Sequence, residues 1–338
     1  MPPILISDST LRDGNHAVAH QLTAPQIAQY ARCADAARVP IVEVGHGNGL
    51  GASSLQVGES ALTDHEQLRI AREQLSHVKL GVHIIPGFAT INKDLAPALA
   101  LGVDVVRVAS HCTEADITQR HIDYTRSQGK EVYGVLMMSH MAPREILVEQ
   151  ALKMESYGAE GVVIMDSAGA YLPVDVAERI SALVAALRIP IGFHAHNNLG
   201  MSIANSLTAV EHGATIIDGS ARGFGAGAGN AQLEVLVAVL MRMGYATGID
   251  HYKLLEAADL AERELIPSLP TISSLSIVSG LAGVFSGFTK HVVRIAQTYQ
   301  VDPRDVFFEL GRRKVVAGQE DIIIEVADTL AKQRKDPA

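Results

Sequence analysis

The sequence predicts an α/β fold, a (β/α)8 TIM barrel followed by a helical C-terminal domain. Three observations carry this. Short apolar, β-branched runs alternate with segments of helical periodicity eight times in about 245 residues, the size and rhythm of such a barrel. The unusual polar residues fall at the C-terminal ends of those runs, where barrels of this kind carry their chemistry. From about residue 250 onward the pattern is helical only. A doubly wound sheet is the structural rival, but it seldom repeats the unit eight times without a break.

The elements follow in order. Residues 4–7 read as the first strand. Thr23-Ala24-Pro25-Gln26 opens a helix that runs to residue 36, with Thr as N-cap and Gln three positions on. Residues 41–44 form a second strand and 45–51 a glycine-rich loop. Helix 63–75 leads to strand 79–85, which Pro86-Gly87 stops. Five further pairs then alternate: helix 92–101 and strand 103–108, helix 117–128 and strand 131–137, helix 143–157 and strand 161–165, helix 173–187 and strand 191–196, helix 201–212 and strand 215–218. Helix 231–243 closes the series. The tail reads as helices 252–264, 274–298, 303–310 and 320–332, with Pro267 and Pro270 breaking the first from the second. The expected division is residues 1–249, a catalytic barrel, and 250–338, a helical unit that caps the site or docks a partner.

Composition narrows the classes. The chain has 338 residues and 48% hydrophobic residues, enough for a large core. Net charge is −9, with no basic run, so nucleic acid is excluded as the expected partner. Tryptophan is absent and aromatics are 4%, which argues against base-stacking platforms. Cys33 and Cys112 sit in apolar patterns and make no disulfide framework. No run reaches the length of a membrane span, and the first residues carry no signal-like region. A soluble cytoplasmic protein is expected.

The chemistry concentrates at the strand ends. Arg12, Asp13 and His16 follow the first strand, where Gly14 lets the backbone turn so that all three can face one volume. They supply a fixed positive charge, a hard oxygen ligand and a group that titrates near neutrality. Glu43 and His46 end the second strand, and Glu43 is placed to orient Arg12. Arg107, Ser110 and His111 end the fourth, Asp166 and Ser167 the sixth. In His194-Ala195-His196, residues two apart on a strand point to one side. With Asp13 they make a two-His, one-carboxylate face with open positions, suited to Mn²⁺, Mg²⁺, Co²⁺ or Zn²⁺. Two packed histidines are the plain alternative to a His-x-His pair. Arg222 and the loop 223–230 follow the eighth strand. That loop misses the P-loop spacing, and a tight turn bringing backbone close to the site is the preferred reading over a phosphate cradle.

Ser9-Thr10-Leu11-Arg12-Asp13-Gly14-Asn15-His16 and His194-Ala195-His196-Asn197-Asn198 resemble the metal-dependent lyases and aldolases with an Asp–Arg–Glu signature. Further segments resemble the 4-hydroxy-2-oxovalerate aldolase family: Glu43-Val44-Gly45-His46-Gly47, Met137-Met138-Ser139-His140-Met141 and Glu309-Leu310-Gly311-Arg312-Arg313-Lys314 among them. The resemblance spans nearly the whole chain. It implies that Asp13, His194 and His196 hold Mn²⁺, with Mg²⁺ or Co²⁺ as substitutes. Arg12 would stabilise enolate charge, His16 would act as acid/base, and Ser167 would contact substrate with Arg12, Asp13 and His194. Asn230 is a candidate further ligand. The implied reaction is reversible cleavage of a 4-hydroxy-2-oxo acid to pyruvate and a short aldehyde, in aromatic catabolism. The implied partners are an acylating aldehyde dehydrogenase, a second copy in a homodimer, or both. Departures from the family pattern are Phe285 in place of Tyr, His83 in place of Leu, and Asn48 in place of Asp. They bear on the aldehyde. The alternatives are a biosynthetic aldolase taking a bulkier or aromatic aldehyde, an acyl-CoA-using relative, and a scaffold subunit of an aldolase–dehydrogenase complex.

Overall fold

The computed structural model describes residues 3–316 and 318–335. Eight parallel strands close into a barrel in sequence order: β1 Leu5–Leu11, β2 Ile41–Val44, β3 Lys79–Ile84, β4 Val105–His111, β5 Glu131–Met137, β6 Val162–Asp166, β7 Ile191–Ala195 and β8 Ile216–Gly219. The helices are α1 Gly14–Ala17, α2 Ala24–Ala36, α3 Asp64–Arg72, α4 Ala96–Ala100, α5 Gln119–Ser127, α6 Arg144–Ser156, α7 Pro173–Ala186, α8 Ser202–Glu211 and α9 Leu233–Arg242. The chain ends in α10 His251–Glu264, α11 Ser274–Ala282, α12 Thr289–Tyr299, α13 Pro303–Arg312 and α14 Asp321–Lys335.

Side-chain alternation along the strands builds two compartments inside the barrel. Ile41, Val105, Tyr133, Val163 and Ile216 pack with Leu5 into an apolar floor. Two residues further along four of these strands, the inward positions are polar: Ser7, Glu43, Arg107 and Asp218, all buried. The floor excludes water below, and the charged layer above it opens towards the strands' C-terminal ends. The outward residues, such as Ile6, Val42, Val106 and Phe193, pack under the helices in the main core.

The break between cores differs from the expected division at residue 250. Leu254, Ala257, Ala258 and Ala261 of α10 belong to the barrel's own core, and α10 packs against α2. A separate cluster forms only beyond residues 267–273, where Val292, Val306, Phe307, Leu310 and Val326 of α12–α14 meet Val284. The physical reason is the apolar stripe of α10, which covers α2 where the barrel would otherwise be bare.

The single helix expected over 274–298 is two. Gly283 takes the left-handed conformation at φ 64° and closes α11, and its amide bonds back to Gly280 and Ser279. A short turn at Ser286–Phe288 follows before α12 begins. This interruption carries Phe285 and Ser286 down onto the barrel mouth.

Candidate active site

Asp13 lies just past β1, and His194 and His196 on and just past β7. Each offers one ligand atom, and these atoms all lie within 4.8 Å of one another. All three side chains are buried. His194 Nε2 and His196 Nδ1 have no hydrogen-bond partner in the protein. One ring nitrogen from each histidine converges with the Asp13 carboxylate, which fits a divalent cation, and the buried, unpartnered His194 Nε2 would otherwise cost about 1–3 kcal/mol. The oxygen and imidazole donors suit Mn²⁺, Mg²⁺ or Co²⁺ rather than a thiolate-preferring ion.

Neighbouring groups hold Asp13 as a carboxylate. Burial opposes its ionisation, but the Arg12 guanidinium, 2.9 Å away, keeps it well below the usual carboxylate range, with His196 adding to the effect. Asn230 Nδ2 donates to Asp13 Oδ2 at 2.7 Å, while Asn230 Oδ1 has no protein partner. The glycine loop runs directly over this carboxylate. A Cβ at Gly225 would lie 2.5 Å from Asp13 Oδ2, so only glycine lets the backbone pass. This close approach is the reading preferred from sequence over a phosphate cradle.

Arg12 points its Nε at Glu43 Oε2, 2.9 Å away, and donates from Nη1 to Asp13 and to the Gly47 carbonyl. Its Nη2 is buried and unpartnered. A guanidinium with one free, fixed donor beside the cation site is arranged for a ligand's oxygen.

His16 is half-buried on α1. Its ring lies over Gly47, where a Cβ would come within 2.4 Å of Nε2, and its centroid is 6.2 Å from the Phe285 ring. Burial pushes the imidazole down to about 4, against the pull of Asp13, so it is neutral at pH 7. Lys290 at the start of α12 reaches back to the His16 and Ala17 carbonyls, at 3.3 and 2.9 Å. His16 also lines a cavity of about 490 Å³ between the barrel mouth and the tail, with Asn48, Gly225, Phe285 and Lys290.

Ser167 ends β6 and is buried. Its Oγ accepts from the Met138 amide at 2.9 Å, and its carbonyl accepts from the Ser286 amide at 3.1 Å. Asn198 Nδ2 donates to Ser286 Oγ and to the Ala168 carbonyl, so the tail's turn is bonded to the barrel at several points. Other residues noted in the sequence lie elsewhere or are engaged. His46 stacks on His20 with centroids 3.6 Å apart, and its Nε2 lies 3.1 Å from the Gly58 carbonyl. Arg222 pairs with Glu234, Asp259 and Glu262 on the barrel's outer face.

Sequence reasoning passed over Asp218. Its Oδ2 lies 3.0 Å from His194 Nδ1, which leaves Nε2 free for the cation site. The signal was present: Ile216 and Asp218 are two apart on β8, and the β7 register pairs Gly192 with Ile216, which sets Asp218 beside His194.

Comparison with known proteins gives the family. Residues 3–261 match the HMGL-like family model, and residues 270–332 match the DmpG-like communication domain. A 4-hydroxy-2-oxovalerate aldolase of Spirochaeta aurantia is 68% identical over 325 residues, covering 96% of this chain and 95% of its own. One from Pectobacterium atrosepticum is 65% identical over 333 residues, covering 98% and 97%. The carboxyl transferase domain of Rhizobium etli pyruvate carboxylase shares the fold, with a TM-score of 0.80 at 16% identity over 98% of this chain and 60% of that one. With a family model matching most of its length and relatives above 60% identity from end to end, the chain belongs to the HMGL-like family, among the 4-hydroxy-2-oxovalerate aldolases.

Proposed function

We infer that this protein is a metal-dependent aldolase, a carbon–carbon lyase that cleaves 4-hydroxy-2-oxovalerate to pyruvate and acetaldehyde. We further propose that Asp13, His194 and His196 hold its cation, Mn²⁺ in the first instance. The observation that carries the reading is the convergence of two buried imidazoles and one carboxylate beside Arg12.

Retro-aldol cleavage needs a base for the C4 hydroxyl and a sink for the electrons released. A bound divalent cation supplies Lewis-acid stabilisation of the charge that develops on the 2-oxo acid. His16, neutral at pH 7, takes the hydroxyl proton and returns one in the condensing direction. Arg12, oriented by Glu43, directs Nη2 to the oxygen on which negative charge grows. Ser167 carries a hydroxyl at the β6 end that can still donate to the substrate. Phe285 sets its ring edge-on to His16, and the Ser286 amide bonds the Ser167 carbonyl, so the tail borders the site.

The tail's similarity to a communication domain supports an acylating aldehyde dehydrogenase as partner, which would consume the aldehyde released. No helix among the described residues is long and apolar enough to cross a membrane, which supports the proposal of a soluble cytoplasmic enzyme. The deciding experiment is cleavage of 4-hydroxy-2-oxovalerate by the purified chain after chelation and after restoring Mn²⁺. Activity that is lost and then regained supports the assignment, and full activity in excess chelator removes it. Co-expression with an acylating aldehyde dehydrogenase tests the partner, which co-elution supports and separate elution overturns.

A further inference from the structure

A chain of alternating charges runs through the barrel from one side of the cation site to the other. It starts at Asp13, which pairs with Arg12, and Arg12 pairs with Glu43. Glu43 is also held by Arg107, and Arg107 Nη2 lies 2.7 Å from Asp218 Oδ2. Asp218 Oδ2 in turn meets His194 Nδ1 at 3.0 Å. Every side chain in it is 5% exposed or less. The chain therefore begins and ends on two of the three candidate ligands, and a cation between Asp13 and His194 closes it into a ring.

Such a layer is expensive unless every charge is paired, and removing one partner strands another. The proposed reaction directly uses Arg12, Asp13 and His194, with Glu43 as the orienter of Arg12. It gives no task to Arg107 or Asp218. Both come from inward positions that the apolar pattern of their strands would fill with Val or Ile: Val105 and Ile216 occupy the same files one step below. A second physical point concerns charge. Asp13, Glu43 and Asp218 against Arg12 and Arg107 leave one negative charge in the ring. A divalent ion turns this into one positive charge, matched to a monoanionic 2-oxo acid.

We propose that Arg107 and Asp218 are positioning residues that lock the cation site and the Arg12 guanidinium into one register. Asp218 holds the His194 proton on Nδ1, so that Nε2 faces the ion with its lone pair. Arg107 spans the two acids, one orienting the metal ligand and the other orienting Arg12. A shift at either end is thereby transmitted to the other. The proposal rests on the metal-dependent reading above, but the readouts that decide it, histidine tautomer and Mn²⁺ affinity, are independent of aldolase activity.

Two measurements test it. In the metal-free wild type, ¹⁵N NMR of labelled histidine, with His194→Gln for assignment, should find the neutral His194 protonated on Nδ1. Protonation on Nε2 overturns the role of Asp218 without any variant of that residue. Manganese titration followed by electron paramagnetic resonance should then show Asp218→Asn binding Mn²⁺ about 10- to 100-fold more weakly than wild type. Arg107→Lys keeps the charge but cannot span both acids, and should lower Mn²⁺ affinity and kcat together while circular dichroism stays native. Folded Asp218→Asn and Arg107→Lys proteins that bind Mn²⁺ as wild type does would overturn the proposal. If wild type binds Mn²⁺ and passes the NMR test yet cleaves no 2-oxo acid, the reaction assignment fails and the positioning role stands.

Discussion

At the scale of single residues, the proposed roles separate groups that would hold the cation from groups that would move protons. Asp13→Ala removes a ligand and also strands Arg12, which then lacks one of its two carboxylate partners. The expected outcome is loss of Mn²⁺ binding and of activity together, read by titration calorimetry and a pyruvate assay. His16→Ala leaves the ligand set intact. It should keep metal and substrate affinity while kcat falls about 10²- to 10⁴-fold, the usual worth of a positioned general base. Full turnover of His16→Ala at neutral pH would place the base elsewhere. The grouping of these side chains was legible in the sequence because Arg12, Asp13 and His16 are near neighbours and His194 and His196 are two residues apart. Asp218 and Arg107 were harder to assign, because the partners of each are far away along the chain.

At the scale of elements, the decisive feature is the break between α11 and α12. Gly283 sits in the left-handed region, and a Cβ there would meet the His140 ring at 3.3 Å. Gly283→Ala should therefore cost about 1–2 kcal/mol of stability, seen as a lower urea midpoint. His140 Nε2 lies 2.9 Å from the Gly283 carbonyl and so ties the β5 end to the tail. Burial pushes His140 down to about 4 from its ordinary 6.5. Between those values the unfolded chain takes up the proton and the folded one does not. The contribution of His140 is therefore complete above about pH 6.5 and is lost as pH falls towards 4. Urea midpoints measured across that window should fall more steeply for wild type than for His140→Gln. Equal slopes would show that His140 does not titrate in this way. The sequence alone suggested one long helix here, because residues 274–298 are helical in pattern on both sides of Gly283. A glycine in such a run is as compatible with a weak point as with an end.

At the scale of the whole molecule, a cation held by the proposed ligands would join the ends of the first and seventh strands and close the buried ring of charges. Binding to the folded state alone raises stability by about 2.7 kcal/mol at a hundredfold excess over Kd. Mn²⁺ should accordingly raise the melting temperature by several degrees in wild type and leave Asp13→Ala unchanged. A calorimetric scan that finds the same increase in both would show that the ion binds elsewhere. The tail belongs to the same functional unit. Its turn donates from Ser286 to Ser167, and Lys290 grips the carbonyls beside His16. Anything that shifts α12 acts on α1, which carries the proposed base.

The residue pattern alone determined the barrel and the polar side chains that gather at its strand ends, Asp13, His194 and His196 among them. Those features are written in local periodicity, in alternation along a strand and in residues a few positions apart. Tertiary structure alone decided which core α10 joins, where the tail helix stops, and how Arg107 and Asp218 link the two sides of the site. Each of these depends on a contact between segments distant in sequence, where the cost of burying a charge or an apolar face is met only by a partner the local pattern cannot name.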